Sequence, residues 1–275
     1  MRLSLILLLT LTLPSPIFAY IGGRLATPAE LFGTVSLTSD HPKDGCTGAQ
    51  VGPRFVLTAA HCVSDEKIPW KFLRGNPLNV GFGPVRARQT IYKFKVQHVH
   101  VHPEWAAYAV KGKIPADSNP DQTFPDVAII EFMEEIPEPV RHVVPIGKEL
   151  PRVQETLRVG GFGCDRIENF GNRKGDYNID DIAVWDLFSR RFIFGIDVRA
   201  EIPSRVCVGD SGAPIYRLSD HTIVGVLASG PITAIIVPKE TLPGSRYFTA
   251  DYVDIDWAQS VIEGRGPRTA LDGRF

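Results

Sequence analysis

Apolar runs of membrane-spanning length are missing from this chain. A spanning helix needs about 20 consecutive apolar residues, and only Leu3 to Leu13 forms a sustained run, which is too short. Stable membrane association is therefore not expected. Charge of one sign is also missing: 30 Lys and Arg stand against 31 Asp and Glu, for a net charge of -1, and the two signs are interspersed. A balance of that kind gives no general attraction for nucleic acid or anionic lipid. Cysteine is sparse, with four residues, Cys46, Cys62, Cys164 and Cys207, and none in a C-x-x-C spacing that would suggest zinc. Internal repeats and low-complexity blocks are absent. Any partner has to be argued from a site.

The short apolar run belongs to a different pattern. Arg2 supplies a positive start, Leu3 to Leu13 the apolar segment, and Pro14 to Ala19 a helix-breaking stretch that ends on a small residue. This is the layout of an export signal over residues 1–19, with cleavage after Ala19 leaving Tyr20 first. Ile17, three places before that cut, is larger than the usual residue there. A secreted or otherwise extracytoplasmic protein is expected, and an even number of cysteines in such a chain points to two disulfides, with three pairings open.

Short β-branched and aromatic runs recur between Gly, Pro and Asp: "GTVSLTS", "RFVLTAAH", "IYKFKVQHVHV", "DVAIIEF", "HVVPIG", "TLRVGGFG", "IFGIDVRAEI", "APIYRL", "TIVGVLAS" and "RYFTADYV". The pattern predicts an all-β barrel or sandwich. Helical spacing is convincing only in "DYVDIDWAQSVIEG", where Val253, Trp257 and Val261 recur at i, i+4 and i+8, so a terminal helix is expected over about 251–263. Residues 264–275 are expected to form a mobile tail. Residues 103–125 and 165–181 are polar and turn-rich and read as surface loops.

Three stretches carry chemistry together. "VLTAAHC" sets His61 beside Cys62, "FPDVAIIEF" sets Asp126 ahead of a buried strand, and "CVGDSGAP" sets Ser211 between glycines. A serine hydroxyl is a poor nucleophile at neutral pH; a histidine must take its proton, and a buried carboxylate must fix the tautomer and charge of that imidazole. Glycines beside the serine let backbone N–H groups of Gly209 and Ser211 approach a reacting carbonyl as an oxyanion hole.

On "TAAHC", "DVAII" and "GDSGAP", in that order, the chain resembles the trypsin-like serine endopeptidases of the chymotrypsin family, from "YIGG" at residue 20 to about residue 263. The resemblance implies two antiparallel Greek-key six-stranded β-barrels, about 20–140 and 141–250, with a C-terminal helix and His61, Asp126 and Ser211 as the catalytic residues. It implies extended polypeptide substrates and no cofactor; protein inhibitors and a monomer are also expected. It also pairs Cys46 with Cys62. Cys207 would ordinarily pair downstream, where no cysteine follows, so Cys164 is its expected partner. In this family a new N-terminus folds inward onto the acid before the nucleophile, here Asp210. The interval from Tyr20 to Cys46 matches, which makes Tyr20 the inserting residue and signal removal itself the activating cut, with Ile21 as the rival start.

The departures bear on specificity. In this family the base of the substrate pocket lies six residues before the nucleophile; here that position is Arg205, where cleavage after Lys or Arg would call for an acid. Arg246 aligns with the strand behind the same pocket, and Ala228, Ser229 and Gly230 form a wall less bulky than the usual aromatic. Two arginines suit an acidic substrate side chain; the alternative is that Arg205 turns out of the pocket or pairs internally. Ala213, in place of the second glycine after the serine, is expected to be tolerated. His98, His100 and His102 alternate and would share one strand face, but spacing supplies no carboxylate or cysteine partner, so no metal is expected. The alternative to an enzyme is a non-catalytic binding homologue with the same fold.

Overall fold

In a computed structural model, residues 23–39, 45–63, 77–109, 125–163, 175–188, 191–196, 206–229 and 246–266 are described. Thirteen strands run through them: β1 Arg24–Leu25, β2 Thr34–Thr38, β3 Cys46–Gly52, β4 Phe55–Thr58, β5 Pro77–Phe82, β6 Thr90–Val101, β7 Ala128–Phe132, β8 Thr156–Gly161, β9 Asn178–Phe188, β10 Arg191–Ile196, β11 Pro214–Arg217, β12 Thr222–Ser229 and β13 Arg246–Tyr252. The α-helices among the described residues are α1 Ala60–Val63, α2 Pro103–Ala109 and α3 Ile255–Ile262.

The first six strands after β1 close a barrel in the order β2-β3-β4-β7-β6-β5. The rest form a sheet in the order β1-β9-β10-β13-β12-β11-β8, and pairing of β8 with β9 closes six of them into a second barrel. Strand pairings in both are antiparallel. This is the architecture the resemblance implies. β1 precedes the first barrel in sequence but pairs in the second sheet, Arg24 opposite Ile179 and Leu25 opposite Asn178.

Alternation along the strands sorts side chains into separate cores. Val35, Leu37, Val80, Phe94, Val96, Val99 and Ile130 fill the first barrel, and Leu157, Val159, Ile215, Val224 and Leu227 the second. A third cluster lies between them, where Leu57 and Ile129 meet Tyr216, Val226 and Trp257. Burial of apolar surface there, at about 25 cal/mol per Å², ties the barrels together.

The terminal helix is shorter than its spacing suggests. β13 extends to Tyr252, and Asp254 caps α3 by accepting the Trp257 N–H, so the helix starts at Ile255. Val253, Trp257 and Val261 are all buried, but Val253 reaches the core from the linker rather than from a helical turn. Part of the first expected loop is also helical: Pro103 opens α2, whose Trp105 and Ala106 are buried. At the end of the second expected loop, Tyr177 and Asn178 are fully buried and β9 begins. "HVVPIG" is not a strand; it makes one parallel bridge, Ile146 to Ile223.

The alternating histidines divide. His98 stands opposite Glu131 on β7, and His100 Nε2 lies 2.9 Å from Glu131 Oε2, so the carboxylate partner that spacing did not reveal comes from the neighbouring strand. Arg54 holds the other Glu131 oxygen at 2.7 Å. Burial works to raise the Glu131 pKa, but the hydrogen bond and charge of His100, with Arg54 and His98, hold it below the usual value. His102 lies past the end of β6 and packs on Trp257, ring centroids 5.1 Å apart, so the three do not share a face.

Candidate active site

His61 sits on α1, the single helical turn that follows β4. The turn is fastened to β3 by the Cys46–Cys62 disulfide, as the resemblance implied. Closing a loop of 16 residues in this way stabilises the fold by about 3 kcal/mol in the chain-entropy account. Asp126, 4% exposed, precedes β7. Its Oδ1 accepts the His61 backbone N–H at 2.8 Å, and its Oδ2 lies 2.5 Å from His61 Nδ1. Two contacts to one carboxylate fix both the ring and the peptide that carries it. An acid at Nδ1 favours the tautomer with the proton there, which leaves Nε2 as an acceptor.

Ser211 lies in a turn that runs from Val208 to Gly212, ahead of β11. Its carbonyl oxygen accepts the Thr47 N–H at 2.9 Å and lies 3.6 Å from Cys62 Sγ, while His61 Nε2 lies 3.9 Å from that same sulfur. The serine peptide of the second barrel and the imidazole of the first are thus brought together around one disulfide. Thr47, beside Cys46, is a site residue that sequence reasoning missed: its Oγ1 donates to the Gly209 carbonyl at 2.9 Å and accepts the Phe162 N–H at 3.1 Å.

Glycine is required in this turn. Gly209 has φ 107° and Gly212 φ 82°. A Cβ on Gly212 would lie 2.1 Å from Thr58 Oγ1 and 2.4 Å from the Thr47 carbonyl oxygen. Gly212→Ala is expected to cost about 1–3 kcal/mol from its backbone conformation alone, with more from the clash. The measurement is a fall in Tm.

Residues 20–236 match the sequence profile of the trypsin family. The chain belongs to the trypsin family. It is 27% identical over 261 residues to CLIP domain-containing serine protease B15 of Anopheles gambiae, a match that covers 85% of this chain and 65% of that protein. The chain therefore spans less than two thirds of that relative's length. Among solved structures, the fold is shared with the scabies mite inactivated protease paralogue S-D1 at TM-score 0.65 and 14% identity, over 90% of this chain and all of that one. Mouse neuropsin, a serine protease, matches at TM-score 0.60 and 18% identity, over 88% of this chain and 98% of its own. Human heparin binding protein matches at TM-score 0.61 and 20% identity, over 91% of this chain and all of its own.

Asp210, the residue before the serine, is the most deeply set acid of this trypsin-family site, with no exposed surface. Its oxygens accept the Gly163 N–H at 2.8 Å and the Cys207 N–H at 2.7 Å. Burial pushes its pKa up to about 7, with those two hydrogen bonds pulling the other way. Gly161 and Gly163 make room for the carboxylate, since a Cβ on either would lie 2.2 or 2.6 Å from its Oδ1.

Other expected site residues are placed less completely. Ala228 is buried near the end of β12, and Ala213 is fully buried, giving its N–H to the Asp210 carbonyl at 2.9 Å. Ser229 and Arg246 lie at the end of β12 and the start of β13, with their side chains outside the described residues. Tyr20, Cys164, Arg205 and Gly230 lie outside them altogether, as does the tail beyond residue 266. Cys207 is disulfide-bonded. Among the described residues, the one group with three metal-donor side chains close together is Cys46, His61 and Cys62, and two of those are joined to each other.

Proposed function

We propose that the protein is a secreted serine endopeptidase that hydrolyses extended polypeptides. The observation that carries this reading is the double contact of Asp126 with the ring and backbone of His61. His61 Nε2 takes the Ser211 hydroxyl proton as Oγ bonds to the substrate carbonyl carbon. The tetrahedral oxyanion is received by the N–H groups of Gly209 and Ser211. Collapse breaks the peptide bond, and the imidazolium gives its proton to the leaving amine. Water, deprotonated by His61, then attacks the acyl-enzyme and releases Ser211. Asp126 orients and stabilises the imidazolium throughout.

Export through residues 1–19 and activation by the same cut belong to this reading. The family match begins at Tyr20, which supports a mature chain that starts there. Its α-amino group would then pair with Asp210, and a monomer would be the working form. For specificity, Arg205 argues against cleavage after Lys or Arg, and with Arg246 it favours an acidic residue before the scissile bond, because a guanidinium pairs with a carboxylate through parallel hydrogen bonds.

The test is labelling by a fluorophosphonate together with a peptide-library profile. The mature protein is expected to label, Ser211→Ala is expected not to, and peptides with Asp or Glu at the position before the cut are expected to be cleaved best. Absence of labelling in the wild type would favour a binding homologue that keeps the fold without turnover. Efficient cleavage after Lys or Arg would end the acidic preference and leave the peptidase reading intact.

A further inference from the structure

The proposed catalytic residues are divided between barrels: His61 and Asp126 belong to the first, Ser211 to the second. Their register needs contacts that cross from one barrel to the other beside them. One such contact is already described, the Thr47 N–H on the Ser211 carbonyl. A second comes from a residue that no motif singled out. Asp251 on β13, 1% exposed, accepts the Asp126 backbone N–H on its Oδ2 at 2.7 Å.

We propose that Asp251 is a positioning residue for the His61–Asp126 pair, holding Asp126 by its main chain from the opposite barrel. The inference rests on the peptidase reading. The Asp126 side chain is committed to His61 through both oxygens, so its aim depends on how its own peptide is held. The following residue is held within the first barrel, where the Val127 carbonyl accepts the His102 N–H at 3.0 Å. Asp251 supplies the contact from the other side, and a short hydrogen bond from a buried N–H to a carboxylate is among the stronger kinds.

The position of Asp251 in its sheet adds a second link. It pairs with Val226 on β12, and Ala250 beside it pairs with Leu227. β12 runs through Ala228 and Ser229, part of the expected wall of the substrate pocket. Asp251 therefore joins Asp126 to the strand that carries that wall. A displacement of about 1 Å in a catalytic group can cost about a hundredfold in rate, so a rigid strut here acts on turnover more than on binding.

The test compares three variants of the mature protein. Asp251→Leu and Asp251→Ala remove the acceptor, whereas Asp251→Asn keeps an oxygen in its place. Loss of the acceptor is expected to lower kcat by roughly tenfold to a hundredfold with KM changed less than about twofold, and Asn is expected to remain within about threefold of wild type. A second readout needs no turnover: the far-downfield proton resonance of the His61 Nδ1–H bond to Asp126 should shift or broaden in Leu and Ala and persist in Asn. Unchanged kcat and resonance in a folded Leu or Ala variant would overturn the proposal, and so would loss of the resonance in folded Asn. Were the wild type to show neither turnover nor labelling, the peptidase reading would fail while the resonance still decided whether Asp251 positions the pair.

Discussion

Asp126→Asn is expected to lower kcat by about 10⁴-fold while KM stays within a few fold. The size follows from which protons the new side chain can accept. In the wild type both oxygens are acceptors, one for the His61 N–H at 2.8 Å and one facing Nδ1 at 2.5 Å. An asparagine can keep the first contact with its carbonyl oxygen, but its NH2 then faces Nδ1. The ring answers by moving its proton to Nε2, where it can no longer accept from Ser211. The fold should survive, because volume is unchanged and one of the two hydrogen bonds remains; a stability loss of about 1–3 kcal/mol is expected. Circular dichroism and Tm check that part, and steady-state kinetics with phosphonate labelling rates check the rest. Combining Asp126→Asn with Ser211→Ala should cost no more than Ser211→Ala alone, since the residues act as one unit. Near-normal turnover by a folded Asp126→Asn protein would remove His61 from the role of base.

What was legible in the sequence was whatever is local in the chain. "TAAHC" and "GDSG" are compact because a ring next to a disulfide and a serine in a glycine turn are built from adjacent residues. Strands with β-branched alternation, such as "IYKFKVQHVHV" in β6, were equally visible. β3, "CTGAQVG", was not, although all but its first residue are buried. Its small and polar side chains give no hydrophobic alternation; Gly48 is there because a Cβ would lie 2.7 Å from Val56, and Thr47 because its hydroxyl serves the Ser211 turn. β9, "NIDDIAVWDLF", was hidden by its acids, one of which, Asp181, is paired to Arg158 at 2.7 and 2.8 Å. Asp251 and Glu131 stayed silent for a related reason: each meets its partner across strands or barrels, at separations of 125 and 31 residues. A long-range hydrogen bond leaves no periodicity behind.

A free α-amino group at Tyr20 is expected to raise kcat about 10²- to 10³-fold over a chain that carries extra residues before it, the range for loss of an oxyanion-hole donor. The reach is available. Leu25 is opposite Asn178, Asn178 is opposite Gly161, and Gly161 packs against the Asp210 carboxylate. Two strand spacings are about 10 Å, and the five residues from Tyr20 to Arg24 can span up to about 17 Å. The pH dependence of stability supplies an independent signature. Burial holds the folded-state pKa of Asp210 at about 7, above its ordinary 3.8. Without a counter-charge, the cost of the buried carboxylate is absent below about pH 4 and grows until the pH has passed through about 7, so stability falls across that window. An ammonium at Tyr20 brings the Asp210 pKa back down, and the decline disappears until the amine itself titrates, above its ordinary value of about 8. Tm against pH should therefore slope downward from pH 4 to 7 in the extended chain and stay level in the chain beginning at Tyr20. A third chain beginning at Ile21 separates the two candidate starts, because only the correct terminus should combine the level profile with full kcat. Parallel profiles and equal activity in the extended and Tyr20 chains would mean that the Gly163 and Cys207 N–H groups hold the Asp210 carboxylate without an ammonium, and that signal removal does not switch activity on.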